Sequence, residues 1–131
     1  MASRAHAVTA DPRHTILLDV NGHKLVGDEP QALGGQDAGP PPFGFVLAGL
    51  AACTATTLRM YADRKGWGEV TIETTLTLDT HGDKPRIDRK VSATGALDEA
   101  AIARLRDVVE RTPVTLALKG GFTIDTVLDR G

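Results

Sequence analysis

The spacing of apolar residues divides the chain into short strands, one long apolar helix and a second, amphipathic helix. Residues 14–20 and 23–26 are two β-like runs joined by Asn21-Gly22. Both residues of that pair tolerate the positive φ angles that a tight hairpin turn requires. The pattern therefore predicts an N-terminal β-hairpin, preceded by a polar, Ala-rich and flexible segment over residues 1–12.

A loop and a long helix follow the hairpin. Residues 27–42 contain four Gly and four Pro, a composition typical of a loop. Residues 43–65 carry apolar or small side chains at intervals of three or four, and other apolar residues cover the remaining faces of the first half. The pattern predicts a central helix that is buried on all sides over that half and ends at Gly66.

The last part of the chain predicts two strands, a helix and a final strand. Residues 69–78 and 87–95 alternate between apolar and polar positions, with Ile87, Val91 and Ala93 facing inward in the second run. Asp98 is placed to cap a helix over residues 99–111, which Pro113 ends. Residues 122–128 read as a strand. The fold class is α+β with antiparallel pairing, in a single domain over residues 1–131.

Composition excludes several classes of partner and location. The formal net charge is −2 and the pI about 6.0, so nothing favours nucleic acid or an anionic membrane as a partner. No basic segment followed by a long apolar run marks a signal peptide. Residues 38–58 carry no charge, but their apolar part, residues 43–58, is about 16 residues long, whereas a membrane-spanning helix needs about 20. We expect a cytoplasmic protein without a membrane partner.

Cysteine and histidine usage limits the possible chemistry. Cys53 is the one cysteine, which excludes an internal disulfide and a multi-cysteine metal site. A lone cysteine in an apolar stretch is most often a small core residue. The four histidines are isolated from one another, so we expect no metal site and no cofactor. Only Cys53 is left as a candidate redox residue.

The order of several short motifs carries a more specific signal. An acidic-Pro pair, a Gly-Gly pair and a Gly-Pro-x-Pro segment precede an Ala-Ala-Cys-Thr helix and a Tyr-Ala-Asp-Arg-Lys-Gly-Trp tail. A later helix ends in an Arg-Thr-Pro-Val run. In sequence these motifs are residues 28–30, 33–35, 39–42, 47–58, 59–67 and 111–114. This arrangement, over residues 14–128, resembles the OsmC-like branch of the bacterial OsmC/Ohr family (osmotically inducible protein C and organic hydroperoxide resistance).

The resemblance implies a fold, an assembly and a reaction. The fold is an intertwined homodimer with buried central helices and two sites at the interface. The reaction belongs to the oxidative stress response: a cysteine thiolate attacks an organic hydroperoxide, a second cysteine condenses with the sulfenic acid, and a thiol reductant resets the disulfide. The attacking thiol needs a nearby cation, and the pocket should be apolar.

The resemblance places Cys53 at the attacking position, but the other functional positions depart from the family pattern. Thr112 stands where the second cysteine precedes Pro-Val, and a hydroxyl cannot form a disulfide. Gly44 lies where the family commonly has a carboxylate that orients an activating arginine. No arginine occurs between Arg13 and Arg59, and His23 is a poor substitute.

Three functions of different classes follow. The first is a one-cysteine thiol peroxidase, in which Arg13 or an arginine of a partner subunit supplies the cation. The second is a non-catalytic protein that binds a hydrophobic small molecule in the apolar dimer pocket. The third is a structural or interaction role, with Cys53 as a core residue.

Overall fold

The computed structural model describes residues 2–131 and divides into two compact units, Met1–Ala48 and Gly49–Gly131. The first unit contains three strands, a 3₁₀ turn (Gln31–Leu33) and the first residues of the long helix. The second unit contains the rest of that helix, two strands and two shorter helices. The elements are β1 (Ala5–Thr9), β2 (Ile16–Val20), β3 (His23–Gly27), α1 (Pro42–Lys65), β4 (Thr71–Asp79), β5 (Arg86–Thr94), α2 (Glu99–Val109) and α3 (Pro113–Gly120).

The sheet of the first unit is an antiparallel meander in the order β1-β2-β3. Asn21 and Gly22 form the predicted turn, with φ angles of 50° and 90°. The hairpin prediction is therefore confirmed, but the prediction of a flexible segment over residues 1–12 is wrong at β1. That strand runs antiparallel to β2, with Val8 opposite Leu17. Main-chain pairing stabilises it, and its sequence lacks the apolar alternation that would have revealed it.

Asp28 orders the loop that follows β3. Asp28 is only 3% exposed. Its carboxylate accepts hydrogen bonds from the backbone N–H groups of Glu29 (2.8 Å), Gln36 (3.1 Å) and Ala38 (3.1 Å). These bonds, led by the one from Ala38, lower the pKa of Asp28 below its ordinary value of 3.8. The carboxylate thus serves as the anchor around which residues 28–38 fold.

Two glycines in this loop have no space for a side chain. A Cβ on Gly35 would lie 1.9 Å from the carbonyl oxygen of Glu29, and a Cβ on Gly39 would lie 2.0 Å from that of Val26. Both approaches are far closer than real Cβ contacts. The Gly-Gly and Gly-Pro motifs of the sequence therefore reflect close backbone packing within the first unit.

The second unit contains an antiparallel β4-β5 ribbon in which exposed and half-buried residues alternate. Asp98 caps α2 as predicted, because its carboxylate accepts a hydrogen bond from the backbone N–H of Ala101 at 2.8 Å. The apolar run after Pro113 forms α3, which sequence spacing had not revealed. The buried apolar residues of this unit are Leu50, Leu58, Ala62, Val70, Ala101 and Leu105.

The long helix is less buried than predicted. Within the chain α1 buries only Leu50, Thr54, Leu58 and Ala62, a single stripe with a spacing of four residues. The prediction of a helix buried on all sides is therefore wrong for one chain, since one ribbon and two short helices can cover only one face. By length and composition α1 also qualifies as a candidate membrane span, which is weak evidence because core helices of soluble proteins qualify too.

The C-terminal segment differs from its prediction as well. Residues 121–131 contain no regular secondary structure, so the predicted strand over residues 122–128 is not formed within the chain. Phe122, Ile124, Val127 and Leu128 are strongly exposed. A strand needs a neighbouring strand to satisfy its main-chain groups, and no strand among residues 2–131 pairs with this segment. The α+β class and the antiparallel pairing are confirmed.

Replacement of the loop anchor should make stability depend on pH in a defined direction. A carboxyl with a lowered folded-state pKa stabilises the fold fully above its unfolded value, and this contribution is lost as pH falls through the folded value. Asp28→Asn should therefore lower the unfolding temperature at neutral pH, and wild type and variant should converge at a pH well below 3.8. Thermal unfolding followed by circular dichroism measures both. An equal difference at pH 7 and in strong acid would contradict this role for Asp28.

Candidate functional site

Cys53 lies in the middle of α1 and is half-buried. Its sulfur has one polar neighbour, the hydroxyl of Thr57 one helical turn later, at 3.7 Å. Within residues 2–131 no cationic group forms a hydrogen bond with this sulfur. The thiol can therefore be reached by a small molecule, but within one chain it lacks a fixed positive charge of the kind that promotes thiolate formation.

A largely buried guanidinium contacts α1 at Thr54, the residue that follows Cys53. Arg89 on β5, with 12% of its side chain exposed, donates from Nη1 to the hydroxyls of Thr54 (2.9 Å) and Thr115 (2.8 Å). Its Nη2 donates to the carbonyl oxygen of Val109 at 3.1 Å. These bonds connect α1, β5, the C-terminal end of α2 and the first turn of α3. We call this set of groups the Arg89 network.

Thr54 has a second bond that ties the network to the helix backbone. Its hydroxyl donates to the carbonyl oxygen of Leu50 at 2.7 Å while it accepts from Arg89. Successive residues of an α-helix point about 100° apart around the axis, so Thr54 faces the network while Cys53 points to one side. The network therefore fixes the segment of α1 that carries Cys53 and leaves the sulfur free of it.

Thr112, the residue that precedes Pro113, adjoins the same network. It is completely buried, and its hydroxyl forms a 2.6 Å hydrogen bond with the hydroxyl of Thr115. Its extended backbone at the start of α3 agrees with the restriction expected before Pro113. Thr112 is thus fully packed and its hydroxyl is hydrogen-bonded, whereas a thiol at this position would form a weaker hydrogen bond.

A solvent-accessible cavity of about 380 Å³ opens onto Arg89 from the side of α3. At its edge the carboxylate of Glu110 lies 3.6 Å from Nη2 of Arg89 and accepts a hydrogen bond from Lys119 at 2.9 Å. Lys119 and then Arg89 hold the pKa of Glu110 below its ordinary value. The positive charge of Arg89 is therefore already partnered by a carboxylate at the edge of this cavity.

The residues that the sequence offered as possible activators of Cys53, namely Arg13 and His23, lie in the first unit. Arg13 and His23 are both exposed. Gly44 has little room for a side chain, because a Cβ there would lie 3.2 Å from the Cβ of Pro40. No group of three or more histidine, cysteine, aspartate or glutamate residues among residues 2–131 is arranged to hold a metal ion.

The first unit contains an apolar cavity of its own, of about 350 Å³. One wall is a face of the three-stranded sheet, with Ile16, Leu18, Val20 and Leu25, and Phe45 of α1 contributes to the opposite side. Asp28, Glu29 and His14 are the titratable residues of its lining. Sequence periodicity indicated the apolar strand positions, but not that they line a cavity.

Sequence reasoning did not identify Arg89, although the alternation of residues along β5 indicated that its side chain faces inward. The alternation along β5 places residue 89 on the same face as Ile87 and Val91, so a charge occupies an inward position. An arginine in the inward phase of a strand must find buried hydrogen-bond acceptors. The prediction of inward residues included its neighbours but not Arg89 itself.

Comparison with known proteins gives a consistent match. The sequence profile of the OsmC-like protein family matches residues 34–127. No curated protein matches the sequence. An OsmC-like protein from Mycoplasma pneumoniae superposes with a TM-score of 0.71 at 21% identity, over 92% of this chain and 89% of the other.

Two further solved structures are similar. An organic hydroperoxide resistance protein OsmC from Legionella pneumophila gives a TM-score of 0.64 at 23% identity, over 92% of this chain and 90% of the other. The organic hydroperoxide resistance protein OhrB of Bacillus subtilis gives 0.58 at 19% identity, over 92% of each chain. At these identities the structures show that the fold is shared.

Removal of the guanidinium should destabilise the protein far more than removal of an exposed arginine on the same strand. Arg89→Ala deletes three hydrogen bonds and takes one partner away from each of two buried hydroxyls and a carbonyl, so we expect a loss of about 2–4 kcal/mol in the free energy of unfolding. Arg86→Ala is the matched control, because Arg86 is exposed and pairs only with Asp88; its cost should stay within about 0.5 kcal/mol. Chemical unfolding measures both. Equal stability of the two variants would show that the network contributes little.

Proposed function

Because the chain belongs to the OsmC-like protein family, we propose that it reduces organic hydroperoxides with Cys53 as its single redox residue. The observation that carries this proposal is the position of Cys53: half-buried at the middle of α1, with a hydroxyl 3.7 Å from its sulfur. A hydroxyl at that place can donate a hydrogen bond to a thiolate. The relation to organic hydroperoxide resistance proteins supports the choice of substrate class.

The proposed reaction needs one cysteine of the protein and two external thiols. The Cys53 thiolate attacks the O–O bond of the hydroperoxide, forming an S–O bond and releasing an alkoxide that takes up a proton to become the alcohol. An external thiol then attacks the sulfenic acid, giving a mixed disulfide and water. A second thiol releases Cys53 as the reduced thiol and leaves as the external disulfide.

The buried Thr112 supports the one-cysteine form of this chemistry. Since a threonine hydroxyl cannot condense with a sulfenic acid, oxidised Cys53 depends on a reductant from outside the chain. The cytoplasm, where thiol reductants are abundant, is the proposed setting. Without a bound cation inside the chain, we expect turnover to be slow, unless Arg13 or a partner subunit supplies a positive charge.

A homodimer is part of the proposal. Large apolar side chains are exposed on three segments: Phe43, Val46 and Met60 on α1, Val8, Leu17 and Val26 in one row across the first sheet, and four residues of the C-terminal segment. Exposed apolar surface of this extent is typical of an interface. The unpaired extended segment over residues 122–128 would gain strand partners in a second copy.

A second candidate function is non-catalytic binding of a hydrophobic small molecule. The observation that favours it is the apolar cavity of the first unit, with a volume within the range of about 300–1,000 Å³ that small-molecule sites occupy. This function does not require Cys53. Native mass spectrometry of gently purified protein should then show a co-purified small molecule.

The peroxidase proposal predicts that activity depends on Cys53 alone. Purified protein should consume cumene hydroperoxide in the presence of a dithiol, and Cys53→Ser should lower the rate to that of the reductant without protein. Thr57→Val should slow peroxide consumption by about tenfold, the scale of one lost hydrogen bond to a charged group. Equal rates for wild type and Cys53→Ser would refute the proposal.

The dimer proposal predicts a specific effect of the C-terminal segment. Ile124→Asp places a charge at an apolar position and should raise the dimer dissociation constant at least about tenfold, or about 1.4 kcal/mol. Thr123→Asp is the matched control, because successive residues of an extended chain face opposite sides. Light scattering after size-exclusion chromatography measures the mass. A wild-type protein that is monomeric at all concentrations would rule the dimer out.

A further inference from the structure

The apolar cavity of the first unit has an uneven distribution of charge. The sheet face and Phe45 make most of its lining apolar. Two acidic residues, Asp28 and Glu29, belong to the same lining, and among the residues described no lysine or arginine does. His14 is the third titratable residue there. The carboxylic acid residues of the lining therefore have no lysine or arginine beside them in it.

The two carboxylates have different roles. Asp28 is held as an anion by three backbone N–H groups and maintains the shape of the loop. Glu29 is half-buried, and across residues 2–131 its carboxylate takes part in no hydrogen bond or ion pair. A half-buried acidic residue whose side chain has no partner, in the lining of an apolar cavity, is complementary to a ligand that supplies both a cation and an apolar body.

We propose that this cavity binds small amphiphiles whose alkyl body carries a protonated amine. The alkyl body packs on Ile16, Leu18 and Phe45, and the ammonium group pairs with Glu29, where it also gains from the nearby charge of Asp28. The inference rests on the second candidate function and deepens it by naming the ligand class. It is independent of Cys53 and of peroxide chemistry.

The acidic residues of the cavity also select against amphiphiles that carry a negative charge. A fatty acid or another alkyl carboxylate would bring a third negative charge into the cavity with no cation to receive it. A neutral alcohol of the same length would keep the apolar contacts and lose the ion pair. Discrimination by charge among ligands of equal chain length therefore distinguishes a specific site from general hydrophobic adsorption.

The test uses three probes with the same eight-carbon chain: octylamine, octanoate and octanol. Isothermal titration calorimetry with the full-length protein at neutral pH and low salt should give octylamine at least about fivefold tighter binding than octanoate, the scale of one partly exposed ion pair. Octanol should lie between them, and the preference for octylamine should shrink as salt is added.

Glu29→Gln is the decisive variant, because it removes the charge and keeps nearly the same shape. The preference for octylamine over octanol should disappear in this variant. It should persist in Glu73→Gln, which makes the same chemical change at an exposed position of β4 that does not line the cavity.

Three outcomes would overturn the inference in distinguishable ways. Equal or tighter binding of octanoate would leave the cavity as a ligand site and refute the amine preference. An unchanged preference in Glu29→Gln would refute the assigned ion pair. Failure of all three probes to bind would refute both this inference and the second candidate function, as would be expected if a second copy of the chain covers the cavity.

Discussion

A buried guanidinium requires an acceptor for its N–H groups, and Arg89 finds its acceptors on three different helices. The hydroxyls of Thr54 and Thr115 and the carbonyl of Val109 all converge on one side chain of β5. The positions of α1, of the end of α2 and of the start of α3 within the second unit are therefore set together. The segment of α1 that carries Cys53 is held by this single charge.

The same interaction gives a physical account of the threonine at position 112. The position before Pro113 lies at the edge of the Arg89 network, where the Thr112 hydroxyl is buried and bonded to Thr115. A threonine joins a network of oxygen and guanidinium groups more readily than a thiol, which is a weak donor and acceptor. A half-buried thiol on α1 thus lies next to a polar network that ties the surrounding elements together.

Local chemistry made some of this structure predictable, and contacts made elsewhere hid the rest. Asn21-Gly22 and Asp98 specify a turn and a helix cap through their own backbone preferences, so sequence reasoning found both. Strand β1 exists because it pairs with β2, whereas the segment over residues 122–128 pairs with no strand in the described part of the chain. Pairing of this kind leaves no local signal. The sequence context singled out Cys53 as the candidate redox residue. Arg89 was overlooked, although its inward phase on β5 marked it.

The reactivity of Cys53 is the central claim, and the chemical state of its sulfur after oxidation tests it most directly. Protein free of added thiol should be treated with one equivalent of cumene hydroperoxide, then with a dimedone reagent, and analysed by peptide mass spectrometry. The predicted result is a sulfenic acid adduct at Cys53 that forms as the peroxide is consumed, and that persists because the chain contains no second thiol. An unmodified Cys53 together with unconsumed peroxide would contradict the claim.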